Sequence, residues 1–158
     1  MKTILITGAT SGIGLAAAKK LANEKNQLIL CGRRQYKLDE IYEELSKSVN
    51  VLSLCFDVSD KNEVNRILND LPEEFRSIDI LINNAGNAHG LDTIQEGSIE
   101  DWDNMIDINV KGLLYVSRAI IPKMVEKKNG HVINIGSLAG REVYEKGNVY
   151  CASKHAVN

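Results

Sequence analysis

Thr7-Gly8-Ala9-Thr10-Ser11-Gly12-Ile13-Gly14 is the stretch on which the fold of this chain turns. It joins an apolar run, Thr3–Thr7, to an amphipathic segment, Ile13–Asn23, that reads as a helix. Glycines at Gly8, Gly12 and Gly14 suit a tight turn whose backbone must be approached closely. The amino end of the following helix offers unpaired N–H groups and a positive dipole end, which attract a pyrophosphate. The spacing is G-x-x-x-G-x-G rather than G-x-G-x-x-G, so the strand before and the helix after carry the argument. A plain strand–helix turn rarely needs so many glycines. Gly8, Thr10, Ser11, Gly12, Ile13 and Gly14 are therefore expected to hold the diphosphate of a dinucleotide.

The same alternation runs outward from this loop. Apolar runs at Thr3–Thr7, Gln27–Cys31, Val51–Phe56, Ile78–Asn83 and His131–Gly136 read as strands, most of them almost continuously apolar. That is the pattern of strands covered by helices on both faces of a parallel sheet. Helices are expected over Ile13–Asn23, Gln35–Ser48 and Asp60–Asn69, then a long one over Ile99–Lys128 and a last one from Val149. Asp60 with Glu63, and Ser98 with Asp101, carry capping signals at two of the starts. The alternation predicts an α/β fold, a doubly wound Rossmann-type parallel sheet forming one dinucleotide-binding domain over residues 1–158. Such sheets normally have six or more strands. With fewer readable here, the domain is expected to be incomplete, its carboxyl-terminal strands absent.

Composition narrows the function classes. A chain of 158 residues is one domain of ordinary size, and 25% charged with 44% hydrophobic residues is a soluble globular profile. A net charge of −2 gives no general attraction to nucleic acid or to an anionic membrane. The apolar run at the amino end meets Gly8 too soon for a signal peptide or a membrane span. Cys31, Cys55 and Cys151 lack metal-ligand spacing and read as free core thiols in a reducing cytoplasm. No metal site is expected either from His89, His131 and His155 or from Asp101, Asp103 and Asp107. Lys123, Lys127 and Lys128 read as solvated charges complementing a helix dipole.

The nucleotide is readable at the end of the second strand. An NAD enzyme would place an acidic residue there, about twenty residues past the loop, to bind the ribose hydroxyls. This chain has Cys31-Gly32-Arg33-Arg34 instead. Two guanidiniums suit a 2′-phosphate through paired, charge-assisted hydrogen bonds, so NADP(H) is the expected cofactor. The plain alternative for Arg33 and Arg34 is solvated charge at a helix start. Asp57, with Val58 beside it, lies just past the third strand, where it can accept from an adenine amine or simply cap a turn.

Tyr150 and Lys154 are four residues apart and share one face of a helix. An ammonium one turn from a phenol favours the phenolate, which makes the phenol a usable acid and base. Ser137 follows the run Val132-Ile133-Asn134-Ile135, read as a buried strand, so its hydroxyl is expected at a strand's carboxyl end. A hydroxyl donor beside such a phenol suits a carbonyl oxygen that gains or loses charge, the polar half of a hydride-transfer site.

Together, Thr7–Gly14, Asn83-Asn84-Ala85-Gly86, Asn109, Ser137, Tyr150 and Lys154 resemble the short-chain dehydrogenase/reductase family. The resemblance implies that Tyr150 is the general acid/base and that Ser137 donates to the substrate oxygen. It implies that Lys154 assists Tyr150 and contacts a ribose, and that Asn109 interrupts the long helix and holds a proton-relay water. Asn84, Ala85 and Gly86 resemble the turn against the adenosine-ribose side that also steadies the sheet. The helix Ile99–Lys128 and the one from Val149 resemble surfaces that pair between subunits, implying a homodimer or homotetramer of the intact protein.

A narrower likeness, to the NADP-dependent 3-hydroxy acid dehydrogenases, runs through Gly32-Arg33-Arg34, Ile78–Gly86, Gly136–Arg141, Tyr144, Gly147 and Tyr150–Lys154. It implies oxidation of serine, allo-threonine or a related small 3-hydroxy acid at the 3-hydroxyl. The nicotinamide is then expected over the carboxyl ends of the fourth and fifth strands, where the strand order reverses. The competing readings are a 3-oxoacyl carrier-protein reductase or other carbonyl reductase, a catalytically silent NADP-binding protein, and a truncated domain that turns nothing over.

Overall fold

The computed structural model describes residues 1–158. Its strands are β1 (Lys2–Thr7), β2 (Asn26–Gly32), β3 (Val51–Cys55), β4 (Ile80–Asn83) and β5 (His131–Asn134). Its α-helices are α1 (Gly12–Leu21), α2 (Gln35–Leu45), α3 (Lys61–Asn69), α4 (Ile99–Ile106), α5 (Leu113–Glu126) and α6 (Asn148–Val157). All neighbouring strands run parallel in the order β3-β2-β1-β4-β5. The expected α/β architecture is therefore what the chain adopts.

Period-two alternation along the strands explains the two cores. Leu5, Ile29 and Leu81 face Val64 and Leu68 of α3 and Val116, Ile120 and Met124 of α5. Ile4, Ile6, Leu28, Leu30 and Ile82 point the other way, onto Ala18 of α1 and Leu38, Ile41 and Leu45 of α2. Each such large apolar side chain contributes about 1.5–3 kcal/mol when fully buried. The sheet is thus fastened from both faces, which fixes the carboxyl ends of β1, β4 and β5 relative to one another. No helix is long and apolar enough to cross a membrane.

Several expectations are corrected. The strand order reverses between β1 and β4 rather than between β4 and β5, because β4 returns to the far side of β1. β5 is not a buried strand: it pairs only with β4 at the edge of the sheet, leaving His131 and Asn134 exposed. The long helix is broken. A π-helical turn, Asp107–Gly112, separates α4 from α5 and carries Asn109, the residue expected to interrupt it.

The two starts with capping signals do carry caps. Asp60 accepts from the N–H groups of Asn62 and Glu63, and Ser98 from that of Asp101. Glu63, however, reaches back to the Asp57 N–H, beyond the cap residue itself. Lys127 is not simply solvated: it donates to Asp79 at 2.9 Å and to Ser77 at 3.2 Å. Cys31 and Cys151 are buried, as core thiols should be, but Cys55 ends β3 and is exposed.

Candidate functional site

The loop after β1 is shaped by close backbone approach. Gly8 has φ +65°, and a Cβ there would lie 2.9 Å from Ala85 Cα. A Cβ at Gly14 would collide with the Gly8 carbonyl and the Asn84 amide. This space is closed by Asn84-Ala85-Gly86, which continues from β4. The N–H groups of Asn84 and Ala85 both donate to Thr7 Oγ1 at 3.0 Å. Asn84 Nδ2 donates in turn to the carbonyls of Thr7 and Gly8, at 2.9 and 3.1 Å. The turn therefore steadies β1 against β4, as the resemblance implied. Ser11 begins α1 without spending its side chain on a cap, so the helix's first N–H groups face the loop unpaired by it.

These elements line a cleft of about 670 Å³ that gathers much of the expected site. Gly8, Thr10, Ser11, Gly12 and Ile13 form one wall, Arg33, Arg34, Asp57 and Val58 one end, and Asn84, Ala85 and Gly86 the middle. Tyr150 and Lys154 close the other end. Gly14, Asn109 and Ser137 are not among the lining residues, although Ser137 directly follows lining Gly136. Residues that no motif singled out also line it, including Phe56, Asn87, Ile108 and Ile135. Asn87 and Ile135 directly follow motif residues in sequence or space, the only signal that pointed to them.

The cationic end is held by hydroxyls and one carboxylate. Arg34 Nη2 donates to Thr10 Oγ1 at 2.8 Å and to Ser11 Oγ at 3.0 Å, which lays this guanidinium over the glycine loop. Arg33 pairs with Asp57 at 3.2 Å, its side chain 60% exposed. Asp57 also accepts from the N–H and hydroxyl of Ser59. Burial pushes the Asp57 carboxyl up, but the Ser59 hydrogen bonds and Arg33 outweigh it and hold the group below the usual carboxylate range. Asp57 thus occupies the turn-capping role weighed for it as the plain alternative, while one edge of the side chain lines the cleft.

At the other end, the Lys154 Nζ lies 6.0 Å from the centre of the Tyr150 ring and donates to the Ile135 carbonyl at 3.1 Å. Lys154 is 7% exposed, and burial lowers its ammonium pKa from the ordinary lysine value. Ser137 precedes a short 3₁₀ turn, Leu138–Gly140, and accepts from the Ala139 N–H at 3.2 Å. Asn109 is buried: its Oδ1 accepts from the Asn87 N–H, and its Nδ2 donates to the Asn87 carbonyl and to Ser153 Oγ. Both ends of its amide are therefore hydrogen-bonded within the protein.

Comparison with known proteins fits this geometry. The family profile described as short chain dehydrogenase matches residues 2–158. NADP-dependent 3-hydroxy acid dehydrogenase YdfG of Escherichia coli K12 is 44% identical over 151 residues, covering 96% of this chain and 60% of its own length. Sulfoacetaldehyde reductase 2 of Chromohalobacter salexigens is 45% identical over 152 residues, with 96% of this chain and 60% of its own length covered. The chain thus spans about 60% of the length of these curated relatives. The closed form of serine dehydrogenase complexed with NADP+ superposes with a TM-score of 0.93 at 44% identity, covering 97% of this chain and 61% of that one. A glycine loop, an Asn-Asn-Ala-Gly turn and a Tyr–Lys pair around one cleft, matched along nearly the whole sequence, place the chain in the short-chain dehydrogenase family.

Proposed function

We propose that this protein binds NADP(H) in the cleft and transfers hydride between the nicotinamide and the 3-hydroxyl carbon of a small 3-hydroxy acid such as serine or allo-threonine. The observation that carries the reading is the shared cleft: Tyr150 and Lys154 line it at one end, and Arg33 and Arg34 at the other, with the glycine loop between. The residues present fit the cofactor. The loop has no side-chain bulk at Gly8 and Gly14, α1 turns its amino end to the cleft, and a guanidinium is pinned above the loop by Thr10 and Ser11. Arg34, with Arg33, would hold the 2′-phosphate; Asp57, Val58, Asn84, Ala85 and Gly86 would line the adenosine and ribose. Bound NADP(H) supplies the hydride acceptor or donor.

Tyr150 takes the proton of the substrate 3-hydroxyl during oxidation and returns it during reduction. Such general acid–base transfer contributes roughly a hundred- to ten-thousand-fold to the rate. Lys154 supports the phenolate electrostatically, and its donation to the Ile135 carbonyl fixes where the ammonium sits. Ser137 accepts a hydrogen bond from Ala139, which leaves its own O–H to donate to the substrate oxygen. Asn109 ties the loop at Asn87 to α6 and so keeps the Tyr150 helix against the cleft.

The sulfoacetaldehyde reductase relative favours a specific second reading, reduction of a short sulfonated aldehyde. A 3-hydroxy acid and sulfoacetaldehyde both carry an anion one carbon from the reacting carbon, so one site chemistry serves either. A panel of serine, allo-threonine, 3-hydroxypropionate, sulfoacetaldehyde and a 3-oxoacyl thioester, run with NADP(H) and NAD(H), tests the proposal. Turnover of 3-hydroxy acids with NADP+ supports it. Turnover confined to sulfoacetaldehyde or the thioester replaces the substrate; preference for NAD(H) overturns the cofactor.

A further inference from the structure

Tyr150 stands in the first turn of α6, whose cap residue, Gly147, has no side chain; of the first N–H groups, that of Val149 donates to the Asn148 side chain. A group that exchanges protons with substrate must be held within a fraction of an ångström, which asks more of this turn than that one bond supplies. The compensation comes from inside the helix. Ser153, fully buried, donates its hydroxyl proton to the Tyr150 carbonyl at 2.8 Å. The same hydroxyl accepts from Asn109 Nδ2 at 3.0 Å. Asn109 is itself fixed, since its amide grips Asn87 at both the N–H (2.8 Å) and the carbonyl (2.9 Å). Asn87 lines the cleft immediately after the Asn84–Gly86 turn.

An unbroken chain of three links, the first a pair of hydrogen bonds between Asn87 and Asn109, therefore runs from the cleft wall, through the π-helical turn, to the backbone of Tyr150. Its only adjustable link is one hydroxyl. The π-helical turn serves the same end: it brings the buried Asn109 amide to the height at which it meets both Asn87 and Ser153. We propose that Ser153 is a positioning residue, whose hydroxyl fixes the first turn of α6 and with it the distance of Tyr150 from the opposite wall of the cleft. The proposal rests on the reading of Tyr150 as the proton-transferring group.

The test compares Ser153→Ala and Ser153→Thr in the whole chain, labelled with 3-fluorotyrosine, the Tyr150 signal being assigned by its loss in Tyr150→Phe. Ser153→Ala is expected to broaden or split the Tyr150 fluorine resonance while the other tyrosine resonances stay sharp. It should lower kcat about ten- to a hundredfold while leaving the Kd for NADPH within about twofold. Ser153→Thr, which keeps the hydroxyl, is expected to restore both. A Ser153→Ala protein with a sharp Tyr150 resonance and wild-type kcat, changed only in Tm, overturns the proposal and makes Ser153 a packing residue. Absence of wild-type turnover on every substrate of the panel counts against the proposed function instead, and the fluorine resonance alone then decides the role of Ser153.

Discussion

Replacing Arg34 by alanine should separate the phosphate-bearing cofactor from its phosphate-free counterpart. A guanidinium has five N–H donors. Arg34 directs Nη2 to Thr10 and Ser11, which holds the group in place and leaves the donors on Nη1 and Nε for a phosphate. Hydrogen bonds to charged groups contribute about 1.5–3 kcal/mol, so losing the Arg34 contact to a 2′-phosphate should raise the Kd for NADPH about ten- to 150-fold. NADH has no such phosphate, and its Kd should change by no more than about twofold. Arg33 should matter less, because its side chain is 60% exposed and already paired with Asp57, a solvent-screened arrangement. The assay is quenching of nucleotide fluorescence on titration at two salt concentrations. Screening should weaken NADPH binding to the wild type and leave Arg34→Ala nearly salt-independent. If Arg34→Ala weakens NADPH and NADH equally, its bonds to Thr10 and Ser11 are structural and the phosphate reading fails. If it weakens neither, the cationic end of the cleft does not bind nucleotide.

Thr7→Val, nearly isosteric, leaves the N–H groups of Asn84 and Ala85 without their acceptor and should cost about 2–4 kcal/mol in urea unfolding, whereas Thr7→Ser should cost little. Gly14→Ala drives a methyl into the Gly8 carbonyl and the Asn84 amide, while Gly12→Ala, at φ +54° with open space around it, meets backbone cost alone, about 1–2 kcal/mol; Gly14→Ala should therefore lower Tm and NADPH affinity by more. Asp79 is pushed up by burial but held below the usual carboxylate range overall by Lys127 and the Thr3 N–H. Its stabilisation is therefore present above the unfolded carboxylate pKa and lost as pH falls through the lower folded value, so Asp79→Asn should narrow the stability gap between neutral and acidic pH. Urea midpoints across that range check it, and an unchanged slope would contradict it.

Much of the fold was legible because its signals are local and repeated. Continuous apolar strands, glycines at one strand end and capping pairs at Asp60 and Ser98 each state a preference that the neighbouring elements share. β4 was read two residues early, since it starts at Ile80 rather than Ile78, and β5 two residues late, where apolarity persists after the ladder stops: Ile135 still donates to Asn83, but β5 as a strand ends at Asn134. The π-helical turn was legible only as an interruption at Asn109, since neither spacing nor composition distinguishes i→i+5 from i→i+4 bonding. Strand order was the least legible feature, because periodicity fixes which face a residue takes and not which neighbour its strand pairs with. In the candidate site, residue types with a distinctive chemistry stood out: the glycines, the two arginines, and Tyr150 with Lys154. The rest entered through position. Phe56 and Ile108 line the cleft as ordinary apolar residues, and Ser153 acts through a hydrogen bond to backbone that no side-chain motif announces.

The most direct measurement is the turnover of Tyr150→Phe beside its affinity for NADPH. Removing one oxygen from a half-buried ring should lower kcat with the best substrate of the panel at least about a hundredfold while the Kd for NADPH stays within about twofold. A Tyr150→Phe protein that turns over at the wild-type rate would show that the proton leaves by another group, and the account of this cleft would fall with it.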